Sequence, residues 1–266
     1  MIRDLAECVV WLHDRVRGTL TKLPGSGESV SPRWLTNGDR VAFQHLENGV
    51  HHLAWQRVDG TGAPELLARD AGWPSWWSAD GRRIVSVKDG DIWIASLDGG
   101  KAAAAPLATT PEVERFPELS PDGRWLAYVS NASGRDEVYV QPYPGLGARQ
   151  LVSLEGGTNP AWSPTGREIF FLSPRDTDGK GHMMVADVRP GPVLAIGRPR
   201  PLFPFQQPPL RLACAPVRCY AVAPDGQRFY ATQMMPMPPA SPVTHIQLVQ
   251  NWTEELKARV PAGTAR

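Results

Sequence analysis

An all-β propeller of four-stranded blades is the fold class this sequence predicts, on three observations. A short pattern recurs five times: "LTNGDRVAFQH" from Leu35, "SADGRRIVSVK" from Ser78, "SPDGRWLAYVS" from Ser120, "SPTGREIFFLS" from Ser163 and "APDGQRFYATQ" from Ala223. The fourth residue of each is Gly38, Gly81, Gly123, Gly166 and Gly226, giving spacings of 43, 42, 43 and 60 residues. A period near 43 suits one unit of four short strands repeated around a ring. Glycine (25) and proline (27) are abundant and long amphipathic helical patterns are nearly absent, as many strands joined by turns require. Finally, 42% of the 266 residues are apolar, enough for the core of one large domain.

Within a repeat each element has a local cause. Pro117 to Leu119 is predicted as an inner strand, and Ser120 to Gly123 as a turn whose Asp and Gly tolerate the left-handed conformations of a two-residue hairpin. Trp125 to Val129 is the second strand, "NASGRD" a connection and Val138 to Gln141 the third strand. "PYPGLG" is a Pro/Gly turn before a fourth strand at Gln150 to Val152. The same order fits Pro32 to Leu67, Pro74 to Leu107 and, with a longer tail, Pro160 to Leu202. Repeats are therefore expected at about 29–68, 71–109, 112–153, 157–203 and 217–252 within a single domain spanning 1–266.

The two ends are irregular. "CVVWLHD" and "GTLTKL", within residues 1–23, read as the outer strands of an incomplete repeat. The last repeat offers "CYAVAPDGQRFYATQ" and "THIQLVQ" but no fourth strand, because "NWTEELKARV" reads as a short capped helix leading into a 253–266 tail. A head lacking inner strands and a tail lacking an outer one predict a five-bladed ring closed by both termini. The alternative is an incomplete six-bladed ring sealed by a second chain, so a monomer follows from the first arrangement and a dimer through the incomplete blade from the second.

Bulk charge excludes some partners. Lys and Arg number 28 against 27 Asp and Glu, a net charge of +1 with no basic run, which disfavours nucleic acid. No apolar stretch approaches the roughly 20 residues of a membrane span, and "MIRDLAECVVWLHD" carries no signal-peptide apolar region. Three cysteines are too few for a disulfide framework; Cys214 and Cys219 are close enough to pair locally in an oxidising compartment, and Cys8 would then stay unpaired.

The stretches "ERFPELSPDGRWLAYVSNASGRDEVYVQPYPG", "GGTNPAWSPTGREIFFLS", "DGDIWIASLDGG", "LAWQRVDGTGAPELL" and "LVQNWTEELKARVP" resemble the WD40-like propeller repeats of the TolB type. Among these they are most similar to the propeller fused C-terminally to bacterial serine/threonine protein kinases, with the likeness running from about residue 5 to the C-terminus. No Gly-rich phosphate loop, strand lysine or HRD-type loop is present, so kinase activity is not implied. The resemblance implies a ligand-sensing or protein-contact module, in a family whose propellers are often extracytoplasmic.

Site candidates follow from topology. The Asp-Gly turns share one face, while the connections into inner strands and those between second and third strands share the other, where a small molecule or protein would bind at the channel mouth. Glu28, Trp73, Glu114, Arg115, Asn159 and Arg218 come just before the inner strands and are the candidate ligand-binding residues. His45, His51, His52, His182 and His245 flank second-to-third-strand connections. With a carboxylate such as Glu47 or Glu114, His45, His51, His182 and His245 are candidate ligands for a divalent metal, Zn²⁺ or Ca²⁺, although His51 and His52 alternate sides of a strand. The serines lack a GxSxG context, and Asp80, Asp122 and Asp225 recur as turn residues. Trp34, Trp76, Trp77 and Trp162 are expected to pack between blades. A binding module is the first functional reading. The alternative is a metal-assisted hydrolase of activated esters, lactones or phosphoesters, with no catalytic residue assigned.

Overall fold

A computed structural model of the chain describes residues 9–233 apart from 15, 26–27, 36–37, 48–49, 70–71, 79–81, 99–100, 109, 146, 190, 192, 209 and 214–217. Met1–Met234 forms one compact unit and Met235–Arg266 a second, and the second lies outside the described residues. "THIQLVQ", the predicted C-terminal helix and the ring closure that depends on them fall there too.

The described residues hold strands and turns and no helix. A two-stranded hairpin comes first, β1 (Trp11–Asp14) with β2 (Thr19–Lys22). A four-stranded antiparallel sheet follows: β3 (Glu28–Trp34), β4 (Arg40–Glu47), β5 (Val50–Arg57) and β6 (Glu65–Ala68). The second sheet is β7 (Trp73–Trp77), β8 (Arg83–Lys88), β9 (Asp91–Asp98) and β10 (Lys101–Ala108). The third is β11 (Glu114–Leu119), β12 (Trp125–Ser130), β13 (Glu137–Pro142) and β14 (Gln150–Leu151). In the fourth, β15 (Thr158–Trp162), β16 (Glu168–Leu172) and the long β17 (Lys180–Arg189) are consecutive. Two strands then share the edge of β17: β18 (Ala195–Ile196) pairs its C-terminal end and β19 (Arg200–Gln206) the rest. Last come β20 (Leu210–Arg211), β21 (Tyr220–Val222) and β22 (Phe229–Gln233), with β20 and β21 both pairing β22.

The recurring turn is wider than the two-residue hairpin the sequence suggests. Ser120 N–H donates to the Trp125 carbonyl and Gly123 N–H to the Ser120 carbonyl, at 2.8 Å each. The same pair of bonds closes the turns at Leu35, Ser163 and Ala223. Only the glycine is left-handed, with φ of 69–70° at Gly38, Gly123, Gly166 and Gly226, so Asp122 and Asp225 serve the turn through their side chains. The Asp122 carboxylate accepts from the Ser120 hydroxyl at 2.5 Å and from Arg124 Nε at 2.8 Å. The Ser120 hydroxyl in turn accepts from Trp125 N–H at 3.0 Å, a bond repeated by Ser78 with Arg83 and by Ser163 with Glu168.

Inner strands begin earlier than their prolines. β3, β7, β11 and β15 contain Pro32, Pro74, Pro117 and Pro160, and each strand shifts register by one extra residue at or beside that proline. A proline has no N–H to give the ladder, and a bulge is where a strand tolerates one. Phe116 and Asn159, immediately before two of these prolines, carry φ of 53° and 55°.

Sheets pack face to face, and this explains runs such as "WLAYV" and "IFFL" that are apolar at every position rather than every second one. Trp125, Val129, Val138 and Val140 meet Trp162, Ile169 and Phe171 between the third and fourth sheets. The opposite faces continue the stack: Phe170, Leu172 and Met183 meet Leu212 and Tyr220, while Leu126 and Tyr128 meet Val85 and Ile92. Leu53 and Ala68 meet Ile84 and Ala95, and Val10 and Leu23 of the N-terminal segment cover Val41, Phe43 and Ala54. This face-on stacking of four-stranded antiparallel sheets is the propeller architecture. Trp162 is buried between sheets as expected and Trp76 and Trp77 partly so, but Trp34 is 60% exposed. On its side the N-terminal segment brings a two-stranded hairpin rather than an inner strand.

Candidate functional site

Each turn of the Asp-Gly type joins an inner strand to its neighbour at one end of a sheet, so the connections after the second strand and those entering the next inner strand lie at the other end. At that other end a cleft of about 380 Å³ runs from Arg135 and Asp136 of the third blade across the end of the fourth to Ala213, with Leu172 and Phe205 in its lining. Asp136, Arg135, Thr158, Ser173 and Arg175 supply its polar edge.

One wall of the cleft is held firmly. Arg135 Nε donates to Glu137 Oε1 at 2.6 Å and its Nη2 to the Leu154 carbonyl at 2.8 Å. The buried Glu137 carboxylate also accepts from the Ser153 hydroxyl and from Gly156 N–H. Asp136 accepts from Arg115 Nη2 at 2.7 Å, and its carbonyl accepts from Gly157 N–H at 2.9 Å. The glycines are demanded by crowding: a Cβ on Gly156, whose φ is 90°, would stand 2.7 Å from Pro174 Cγ, and one on Gly157 2.9 Å from Phe171. On the opposite wall Arg175 is exposed, with its alkyl stem beside Gly181. A guanidinium over an apolar lining suits a carboxylate attached to an apolar body.

All of the sequence candidates except Arg218 are placed on inner strands rather than in loops before them, because the strands run through the proline bulges. Glu28 and Trp73 open β3 and β7, and Glu114 and Arg115 open β11. Arg115 borders the cleft through its bond to Asp136. Asn159 is buried, accepts from the Thr158 hydroxyl at 3.1 Å and offers its carbonyl to the Tyr220 hydroxyl at 2.7 Å. Glu114 faces a different cavity, between the second and third blades.

The histidines are dispersed. His45 stands opposite His52 in the β4–β5 register, whereas His51 stands opposite Leu46 and so takes the other face. His45 lies 3.4 Å from the Ser29 hydroxyl, His52 4.0 Å from Glu47, and the His51 ring centre lies 5.1 Å from that of Trp73 with the planes tilted by 41°. His182 is in the fourth blade, beside Arg198 and Met184. His245 lies outside the described residues. Among the described residues no three His, Cys, Asp or Glu side chains come within metal-binding reach of one another. Cys219 is in a disulfide, and Cys8 and Cys214 lie outside the described residues.

Arg218 does something its sequence position does not announce. Its Nη1 donates to the Glu118 carboxylate of β11 and to the Pro160 carbonyl of β15, and its Nε donates to the Tyr220 carbonyl at 3.0 Å. One guanidinium thus ties three successive inner strands. Glu118 also accepts from Trp162 N–H, and its carbonyl accepts from the Trp162 indole at 3.1 Å. Burial works against the charge of Arg218, but the Glu118 carboxylate and Tyr220 together outweigh it and hold the guanidinium protonated. Burial also raises the Tyr220 hydroxyl far above its ordinary value, with Arg218 opposing and Glu118 reinforcing. Both groups keep their protons at neutral pH, and the network joins strands. Glu118 was missed from sequence, yet it had a signal: two positions before the turn the other repeats carry Arg33, Trp76, Ala161 and Ala221.

Residues 20–197 match the TolB beta propeller domain family. The chain belongs to that family. A solved structure of a putative TolB from Agrobacterium tumefaciens superposes on this TolB-type propeller with a TM-score of 0.54, covering 71% of each chain at 22% identity. An uncharacterized protein of Agrobacterium fabrum is 27% identical over 140 residues, covering 47% of each chain. Tricorn protease homolog 1 of Streptomyces coelicolor is 35% identical over 71 residues, 27% of this chain and 6% of that protein. The chain thus spans less than half the length of either curated relative.

Proposed function

We propose that this TolB-type propeller is a binding module that receives a peptide segment bearing a free carboxylate in the cleft at the end of its fourth blade. One observation carries the reading: an apolar lining of Leu172 and Phe205 edged by the exposed Arg175, on a wall already braced by the Arg135–Glu137 and Arg115–Asp136 pairs. Because Arg115, Arg135 and Asp136 are engaged within the wall, Arg175 is the group that meets the ligand's charge. A preformed cleft of this kind binds with little reorganisation. The tricorn protease homologue among the relatives supports peptide as the ligand class. Resemblance of the repeats to propellers that follow bacterial kinases supports sensing as the purpose of binding.

The test uses fluorescently labelled short peptides with apolar C-terminal residues, made once as free acids and once as C-terminal amides. The free acids should bind, and amidation or Arg175→Glu should each weaken binding by at least about tenfold, the effect of losing a charge-assisted hydrogen bond. Equal binding of acid and amide, or no binding of any free-acid peptide, overturns the reading.

A further inference from the structure

Between the second and third blades lies a smaller cavity of about 140 Å³, lined by Ile92 and Leu107 on one side and by Glu114, Tyr128, Gln141 and Arg149 on the other. That size is close to the ~150 Å³ of an engineered apolar cavity that accepts benzene. This cavity is polar at both ends, and its polarity is asymmetric.

Glu114 forms one end. The residue is only 4% exposed, and its backbone is pinned by an N–H bond of 2.7 Å to the Gly90 carbonyl in the β8–β9 turn. One carboxylate oxygen, Oε1, accepts from the Thr110 hydroxyl at 2.6 Å. The other, Oε2, is fully buried and has no hydrogen-bond partner. A buried carboxylate oxygen without a donor is costly, and such exceptions mark strain or a place for a ligand. Asp91 and Glu112 add negative potential at this end. The missing partner is a hydrogen-bond donor, and the negative potential around it favours a cationic one.

Arg149 forms the other end. It is exposed, its guanidinium stands 5.0 Å from the centre of the Tyr139 ring, and it also interacts with the Tyr128 hydroxyl. Between the two ends the Tyr128 hydroxyl donates to Gln141 Oε1 at 3.2 Å, leaving the Gln141 amide N–H groups for an acceptor. Ile92 and Leu107 supply an apolar wall.

We infer that this cavity binds a small zwitterion, an α-amino acid with a short apolar side chain. Its ammonium donates to Glu114 Oε2, its carboxylate meets Arg149, and its side chain lies against Ile92 and Leu107. The site is separate from the peptide cleft, and its occupant would bridge two adjacent blades.

Calorimetry on the whole chain with L-valine tests this, alongside two probes that each lack one charge, isobutylamine and isovalerate. L-Valine should bind, and each probe should bind at least about tenfold more weakly. Arg149→Ala, at an exposed position, should weaken L-valine by a similar factor without weakening isobutylamine. Glu114→Gln should weaken L-valine and isobutylamine alike. Far-ultraviolet circular dichroism verifies that each variant is folded. If isobutylamine or sodium ion binds as well as L-valine and Arg149→Ala changes nothing, the cavity is a simple cation site and the inference fails. It fails equally if neither L-valine, L-alanine nor glycine binds at millimolar concentration.

Discussion

Arg218 and Glu118 stand 100 positions apart in the chain and form one ion pair whose side chains are 18% and 14% exposed. The pair sits where the inner strands β11 and β15 and the approach to β21 converge, and the same guanidinium also binds the Pro160 carbonyl. A charge so placed depends chiefly on its partner, with the Pro160 and Tyr220 carbonyls adding to it.

Arg218→Met or Glu118→Gln alone should therefore lower stability by about 3 kcal/mol, the cost of orphaning one member of a buried pair. The double variant should lose less than the sum, because neither charge is then left alone. Urea unfolding of the four proteins measures this cycle, and strictly additive losses would show that the pair does not couple the strands.

Glu114 makes stability depend on pH with a sign opposite to most carboxylates. Burial raises its carboxyl above its ordinary value of 4.5, the Thr110 hydroxyl opposes this, and Asp91 and Glu112 reinforce it, with Arg149 pulling the other way. In the ligand-free protein the folded state thus holds the proton more tightly than the unfolded state. Its contribution is fully present below about 4.5 and is lost as pH rises through the folded value. Glu114→Gln should accordingly melt higher than the native protein at pH 8, with the gap closing towards about pH 4. Melting curves across that range decide it, and a gap independent of pH would contradict the burial argument.

Two glycines separate backbone strain from crowding. Gly166 has a φ of 69°, and a Cβ there meets nothing closer than Pro121 Cδ at 3.6 Å. Gly166→Ala should cost about 1–2 kcal/mol for the left-handed backbone alone. At Gly156 the same substitution adds a contact of 2.7 Å with Pro174, so Gly156→Ala should destabilise clearly more and also weaken peptide binding in the adjacent cleft. Chemical denaturation ranks them; the reverse order would refute the packing assigned to that wall.

Removing residues 1–23 should expose Val41, Phe43 and Ala54, which Val10 and Leu23 now cover. Burial of a few such side chains is worth about 3 kcal/mol or more, so the truncated chain should melt well below the full one or associate. An unchanged melting temperature in a monomeric truncated protein would show that the N-terminal hairpin is dispensable.

What could be read from the sequence was local. The turns at Gly38, Gly123, Gly166 and Gly226 were legible because a left-handed residue at a fixed offset from two apolar runs has few other uses. The opposite faces of His51 and His52 followed from strand alternation alone. Other features depended on residues a repeat or more away. Bulges at Pro32, Pro74, Pro117 and Pro160 moved Glu114 and Asn159 from expected loops into buried strands, since an inner strand is extended by its pairing partner and not by its own propensity. Arg218 belonged to Glu118 only once β11, β15 and β21 were brought together, and Glu114 came to share a cavity with Ile92 and Leu107 only when the neighbouring blade packed beside it. Turn chemistry acts over four or five residues and is written in the chain. Desolvation of a charge is set by whatever packs against it, and in this propeller that is the next blade.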